Sequence, residues 1–452
     1  MLGDPVGRQD RLFYEFDLEA MVPGDHLLRR IDAALDVSWL RGEMKAHYSH
    51  LGCPSICPEL LIRMLIVGYC YSIRSERRLC QEVKMNLAYR WFCCLGLEDK
   101  VPHHSTFSVN RHGRFRESDI LRKVFEEVVC GCMKAGLVGG EGFAVDASVI
   151  EADASRFQRV KGSEVDWTPE QRASRPVSEY LVALESENPP INPSQKPKAM
   201  SPIDPCAAWT TRGRNKVMFG YSLNYLIDME NAVILDVEET PTRISKEVDA
   251  TEIMIDRTED RFGLKPDRLA GDVAYGTGEM LGWLVEREIK PHIPVWDQSE
   301  VAANGKFSRA SFAYDKNRNL YVCPNGKELK TSGTVYDGTT LKYIAKRSDC
   351  GQCPLKPKCT TGRERRVDRD VNQEARDYTQ ALMETDAYKQ SRSQRKKIET
   401  LFGDVKRNLG LTRLRLRGLT GARDEFLLAA TVQNLKRLIK HAGPAPPMPM
   451  AA

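Results

Sequence analysis

The stretch from Gly142 to Ile150, GFAVDASVI, carries one aspartate inside an otherwise apolar, β-branched run. A short run of this kind reads as a buried strand. An acid inside such a strand is disfavoured unless it is paired or binds a cation. Asp146 therefore needs a partner or a bound cation. Two further acids stand in notable company: Asp272 closes the strand-like RLAGD just before a Tyr-Gly turn, and Glu399 lies in the basic helical stretch QRKKIETLFGDVKR. Taken singly, each reads as a solvated strand end or a surface helix acid. Together, two carboxylates on adjacent strands and a third from a helix packed over them form the oxygen donor set of a hard cation, Mg²⁺ or Mn²⁺. Two such ions about 4 Å apart can activate a water or a 3′-hydroxyl on one side of a phosphodiester and stabilise the leaving oxygen on the other.

The rest of the chain divides by hydrophobic period. Residues 1–138 read as a mostly α-helical domain. Pro58-Glu59 opens ELLIRMLIVGYCYSI, apolar on most faces as in a helix buried within a bundle. Ser75 is positioned to cap a helix through Leu79, Val83, Leu87 and Trp91, Ser105 or Thr106 to cap the one after Pro102, and Leu121 to Met133 keeps helical spacing. After Gly139-Gly140 the period shortens. Residues 139–296 read as an α/β layer: the Asp146 strand, then a hairpin in which Val217, Phe219, Tyr221, Leu223, Tyr225 and Ile227 alternate before a turn at Asp228–Asn231 and the strand AVILDVEET. A helix over Thr251 to Phe262, the RLAGD strand, a helix over Met280 to Glu288 and a short strand near 292–295 follow. Within this layer, residues 155–214 are rich in Ser, Pro and charge and read as a loop or disordered connection. Residues 297–382 are turn-rich with short strands, residues 383–442 helical and basic, and 443–452 a disordered tail.

Composition excludes several classes. The N-terminus has no basic stretch leading into an apolar run. The most apolar segment, Leu60 to Ile73, is interrupted by Arg63 and too short to span a bilayer. Thirteen cysteines in 452 residues do not make a small disulfide scaffold and point to a reducing cytoplasm. Four of them, Cys323, Cys350, Cys353 and Cys359, occur as CPNG and CGQCPLKPKC. The CxxC is a good half-site for structural Zn²⁺, although Cys359 sits at a looser spacing, so the group is either a zinc site or a set of free thiols. Cys53, Cys57, Cys70, Cys80, Cys93, Cys94, Cys130, Cys132 and Cys206 show no such grouping and read as packing residues. No GxxxxGK[ST] or HExxH occurs, which disfavours an ATP motor or a zinc protease.

The whole-chain charge is only +5, but its distribution is uneven. Between residues 386 and 441 fourteen basic residues face five acidic ones, a surplus of nine. Arg395, Glu399, Phe402 and Lys406 fall on one helical face. That face is either an ordinary Arg–Glu surface pair or a carboxylate flanked by cations that hold DNA phosphates. Arg392, Lys396, Arg407, Arg413, Arg415 and Arg417 extend the basic surface, and in RLRLRG the leucines can pack while the arginines meet phosphates.

At this point the chain resembles the DDE transposases of bacterial insertion sequences. The resemblance rests on PELLIRMLIVGYCYSIRSERRLCQEVKMNLAYRWFCCLGL with VPHHSTFSVNRH, on FAVDAS, FGYSLNYLID and GDVAYGTGE, and on RKKIETLFGDVKRNLGLTRLRLRG with AATVQNLKRL, in that order. It implies an RNase H-like (integrase-like) α/β core with an inserted β-rich segment, preceded by an all-α domain that binds element ends or serves as a dimerisation bundle, with Arg111, Arg114 and Arg116 as phosphate contacts. It implies catalytic roles for Asp146, Asp272 and Glu399 as Mg²⁺ ligands. The related signature Tyr-x2-Arg-x3-Glu-x6-Lys is matched at Arg395, Glu399 and Lys406, whereas its tyrosine position holds Arg392. The implied activity is cleavage at terminal inverted repeats and strand transfer of the 3′-hydroxyl into target DNA by a homodimer assembled on DNA, in a bacterial cytoplasm at the nucleoid, with no membrane. A nuclease of the same core that cuts without joining, and a non-catalytic DNA-binding descendant, remain as alternatives.

Overall fold

The computed structural model describes residues 16–49, 55–185, 197–212, 216–241, 244–295 and 306–443. Cys53, the centre of the Pro-rich stretch (186–196) and the tail from 444 onward lie outside the described residues.

The N-terminal part is a helical bundle, as its period predicts. Pro58–Cys70 buries ten of its thirteen residues, so nearly every face meets protein. Ser75 caps Glu76–Met85 by accepting from the Arg78 amide. The helix expected to run on to Trp91 stops at Asn86, whose side chain accepts from the Ala88 and Tyr89 amides and starts a second helix, Leu87–Phe92. The helix after Pro102 is capped by His103, whose Nδ1 accepts from the Ser105 amide, and not by Ser105 or Thr106. Ile120–Lys134 closes the bundle.

The central sheet is built from β1 (Gly142–Glu151), β2 (Ala208–Arg212), β3 (Lys216–Asp228), β4 (Ile234–Pro241), β5 (Arg268–Ala270) and β6 (Lys290–His292). Its order is β2-β3-β1-β5-β6, with β4 also paired to β3. β3 runs antiparallel to β1 and to β4, whereas β5 and β6 run parallel to β1. The β3–β4 hairpin turns where expected, because Asp228 Oδ1 accepts from the Glu230 and Asn231 amides. A crossover helix, Ile244–Phe262, leads from β4 to β5 and begins earlier than the expected Thr251. β6 also begins earlier than the 292–295 stretch.

The expected loop over 155–214 is corrected by the structure. It holds helices Pro169–Ala173 and Arg175–Glu185 as well as β2, and it buries Val177, Tyr180, Met200, Cys206 and Ala207. Proline misled because here it opens a helix: Pro169 follows the N-cap Thr168, which forms a capping box with Gln171.

Residues 313–370 form a separate antiparallel sheet: β7 (Ala313–Asp315), β8 (Leu320–Val322), β9 (Glu328–Tyr336), β10 (Thr340–Ala345) and β11 (Arg366–Asp370), in the order β11-β10-β9-β8-β7. It encloses its own small core of Phe312, Tyr321, Leu329, Tyr343, Ala345 and Val367. The chain then returns to the central sheet through Gln373–Leu382 and the carboxylate helix Asp386–Arg407.

The C-terminal helix, Leu419–His441, is the pillar that joins bundle and sheet in one continuous core. It packs on Ile120–Lys134, Pro58–Cys70 and β4. Asn434 mimics a strand edge, accepting from the Ile234 amide at 2.9 Å and donating to the Ile234 carbonyl at 2.8 Å. Glu425, 2% exposed, accepts from the Arg415 and Leu416 amides and forms an ion pair with Arg74 of the bundle. Removing one partner of a buried pair leaves the other charge stranded. Glu425→Ala is therefore expected to lower the unfolding free energy by about 3–5 kcal/mol in urea denaturation; a loss below about 1 kcal/mol would show that the pair does not tie the two parts together.

Candidate active site

Ala144 of β1 and Ala270 of β5 are parallel register partners, so Asp146 and Asp272 each lie two residues beyond a paired position, at the same end of neighbouring strands. Asp146 stays in its strand opposite Tyr225 of β3 and accepts from the Ala147 amide at 2.8 Å. Asp272 has left its strand and caps the turn Val273–Tyr275, accepting from the Ala274 amide at 2.8 Å. The carboxylate helix crosses this face of the sheet, where Phe402 stacks on Tyr225 with ring centroids 5.1 Å apart.

The helical face expected from spacing meets β1. Arg395 Nη1 donates to Asp146 Oδ2 at 2.9 Å, and its Nη2 stands 3.6 Å from Glu399 Oε1. Lys406 Nζ donates at 2.6 Å to the hydroxyl of Ser148, two residues along the strand from Asp146. Asp146 is largely covered, with 19% of its side chain exposed, whereas Glu399 is 61% exposed. Burial pushes the Asp146 carboxyl above its usual range; the Ala147 amide and Arg395 oppose this, and the charges of Asp272 and Glu399 add to it. Three acids thus share one electrostatic neighbourhood, and Arg395 supplies the positive charge there.

Among the described residues no three His, Cys, Asp or Glu side chains stand together as a ready-made ion cage. The Arg395 guanidinium stands between Asp146 and Glu399. The donor set itself suits Mg²⁺ or Mn²⁺, being oxygen only, anionic and partly open to water.

Two neighbours were missed by reasoning from sequence. Glu247, near the start of the crossover helix, accepts from Ser222 at 2.8 Å; burial raises its carboxyl, and Asp272 and Asp146 raise it further. It was overlooked because the helix was expected to start after it. Tyr275 is 2% exposed, and its hydroxyl has no hydrogen-bond partner among the described residues. Burial, then Glu247, Asp146 and Asp272, push it well above the ordinary tyrosine range. The available signal was its place three residues after Asp272, since residues i and i+3 eclipse in a 3₁₀ turn.

The cysteine expectation fares differently. Cys323, Cys350, Cys353 and Cys359 form no disulfide and lie near enough for the other three to bear on the Cys359 thiol, which burial raises. They are not gathered as a zinc site among the described residues. Cys323, Cys350 and Cys359 pack instead against the small sheet's apolar core, which gives that segment a core of its own.

The basic residues separate into two kinds. Arg392, Lys396, Arg407 and Arg415 are exposed. Arg413 and Arg417 clamp Asp153 at 3.0 and 2.8 Å while keeping half or nearly half of their side chains exposed. Leu414 is buried and adds its segment to the end of β1, its amide donating to the Glu151 carbonyl at 2.7 Å. Arg111 is corrected: it is 5% exposed and pairs with Glu76 inside the bundle. Arg116 likewise pairs with Asp424 at 3.0 Å, and Arg114 covers the Tyr48 ring, so these arginines hold the bundle together. Among the described residues no helix is long and apolar enough to cross a membrane.

Two domain families match the chain. One is described as Transposase domain (DUF772) and matches residues 16–113; the other is described as Transposase DDE domain and matches residues 322–439, which include Arg395, Glu399 and Lys406. Among solved structures, piggyBac transposase in a synaptic complex with hairpin DNA is similar over 91% of this chain and 72% of its own, at 10% identity and a TM-score of 0.33. No curated protein matches.

An orphaned hydroxyl has a testable consequence. Removing a buried polar group that makes no hydrogen bond costs little or stabilises. Tyr275→Phe is expected to leave the melting temperature unchanged or higher in the absence of divalent ions. A loss above about 2 kcal/mol would show that the hydroxyl has a partner.

Proposed function

We propose that this chain, which carries a transposase domain and a transposase DDE domain, acts as a DDE transposase with Asp146, Asp272 and Glu399 as its catalytic acids. The observation that carries this reading is the meeting of Asp146 and Asp272 at one end of β1 and β5, with Glu399 tied to the same place through Arg395. The order β4-β3-β1-β5-β6, with only β3 antiparallel to its neighbours, supports an RNase H-like core.

The three carboxylates would hold Mg²⁺ or Mn²⁺, which when bound activates a water or a 3′-hydroxyl and stabilises the leaving oxygen of a phosphodiester. Arg395 favours the ionised form of Asp146 against the effect of burial and aims it by donating to its Oδ2. It is also the group that must give way or share, since it bridges two of the acids. Lys406, held beside the acids by Ser148, is placed to meet a DNA phosphate. Arg392, Lys396, Arg407 and Arg415 extend that contact over the outer surface of the same region, with Arg413 and Arg417 at the end of β1. The substrate is double-stranded DNA: the ends of a mobile element, and then the target into which a freed 3′-hydroxyl is joined.

Asp146→Asn, Asp272→Asn and Glu399→Gln should each abolish Mg²⁺-dependent cleavage of element-end DNA while leaving duplex binding within about twofold. Retained cleavage in any one of them removes that residue from the centre. A strand-transfer assay with precut ends separates a transposase from a nuclease of the same core: joined product supports the first, and cleavage without joining the second.

A further inference from the structure

A second feature lies at the joint between the N-terminal bundle and the C-terminal helix, where buried arginines have donors to spare. Arg111, in the helix His104–His112, keeps only 6% of its side chain exposed, yet its hydrogen bond to Glu76 Oε1 is a long 3.3 Å. Its Nε and Nη2 are buried and have no hydrogen-bond partner among the described residues. Arg116, in the short helix Arg114–Glu117, donates from Nη2 to Asp424 Oδ2 at 3.0 Å, and its Nε and Nη1 are orphaned in the same way. A third cation closes the group: Arg175 reaches His112 Nδ1 at 3.3 Å and the Arg417 carbonyl. The three guanidiniums act on the same neighbours. Burial, then the charges of Arg175, Arg111 and Arg116, push the His112 ring down to about 4, so that it is neutral. All three also oppose the effect of burial on Asp424.

The charges in this joint are balanced, with Glu76 beside Arg111, Asp424 beside Arg116, and Glu179 beside Arg175 at 3.5 Å. The hydrogen bonds are not. A guanidinium has five N–H donors and no acceptor, and a buried donor left unpaired is costly. The orphaned atoms of Arg111 and Arg116 are donors without exception. A water molecule could accept from some of them, but it would bring two hydrogens that need acceptors of their own. A halide ion accepts from several N–H groups at once and brings no hydrogen, and hydrogen bonds between ionised partners are the stronger kind.

We propose that this joint binds a single chloride ion, held by the guanidiniums of Arg111 and Arg116 with Arg175 as the neighbouring positive charge. The ion ties three regions together: the bundle helices that carry Arg111 and Arg116, the helix Arg175–Glu185, and the C-terminal helix that carries Asp424. The next residue, Glu425, anchors the Arg415 and Leu416 amides, so chloride also steadies the arginine-bearing segment before that helix. The site uses none of the proposed catalytic acids and does not depend on that reading.

Two measurements on the full-length protein test it. The first is thermal melting with sodium chloride exchanged for sodium gluconate at constant ionic strength, gluconate being too large to enter. The melting temperature should rise by about 2 °C between zero and roughly 200 mM chloride, and the rise should saturate. Arg111→Lys keeps a positive charge opposite Glu76 but removes the orphaned Nε and Nη2, and it should melt at the same temperature in both salts. The second is anomalous scattering from crystals grown in sodium bromide, which should place a bromide peak in contact with the Arg111 and Arg116 guanidiniums. Identical melting of the wild type in chloride and gluconate overturns the site. So does an undiminished chloride shift in Arg111→Lys, or a bromide map with only water or empty space between the two arginines. If Arg111→Lys fails to fold, the wild-type melting and the bromide map decide.

Discussion

Asp146 is a carboxylate in a strand among apolar neighbours, and the side chains around it are arranged to meet its charge. Burial alone would favour the neutral acid. The carboxylate helix answers by setting Arg395 against it, and the same arginine reaches Glu399 one turn later. The 22-residue helix lies over the sheet through that guanidinium, through Phe402 stacked on Tyr225, through Lys406 on Ser148 and through its buried apolar residues. In the proposed centre, a cation held by the acids would share them with this internal one.

The same logic recurs on a larger scale. The C-terminal helix carries Asp424 and Glu425 into the interior, where Arg116 and Arg74 from the N-terminal bundle meet them. Glu425 also anchors the Arg415 and Leu416 amides. The buried end of this network thus positions the exposed arginines of RLRLRG beside the end of β1. Surface chemistry in one part of the chain depends on buried ion pairs that join distant parts of it.

Much of this was legible in the sequence, and the reasons are local. An aspartate in GFAVDASVI, a hairpin with strict alternation and an Arg-Glu-Phe-Lys helical face are short-range patterns, and each maps onto one element of the fold. The losses came where capping or tertiary contact decided. Asn86 ended a helix that its apolar spacing would have continued, and the Ser/Pro-rich region folded into helices through a capping box and burial against the sheet. Arg111 and Arg116 were read as surface cations because their partners, Glu76 and Asp424, could not be inferred from the neighbouring residues. Glu247 and Tyr275 became visible only when strand order brought the crossover helix and the turn after β5 to the same place. The cysteine spacing left zinc and free thiols open, and three of the four cysteines pack against the small sheet's apolar core.

The central claim is that three acids from β1, the end of β5 and the carboxylate helix act as one cation-binding unit. The most direct measurement is Mn²⁺ binding by electron paramagnetic resonance, on the full chain with duplex DNA present. The account predicts protein-dependent Mn²⁺ uptake that Asp146→Asn and Asp272→Asn each abolish and Glu399→Gln weakens by at least about tenfold. Equal uptake by the wild type and all three variants would contradict it.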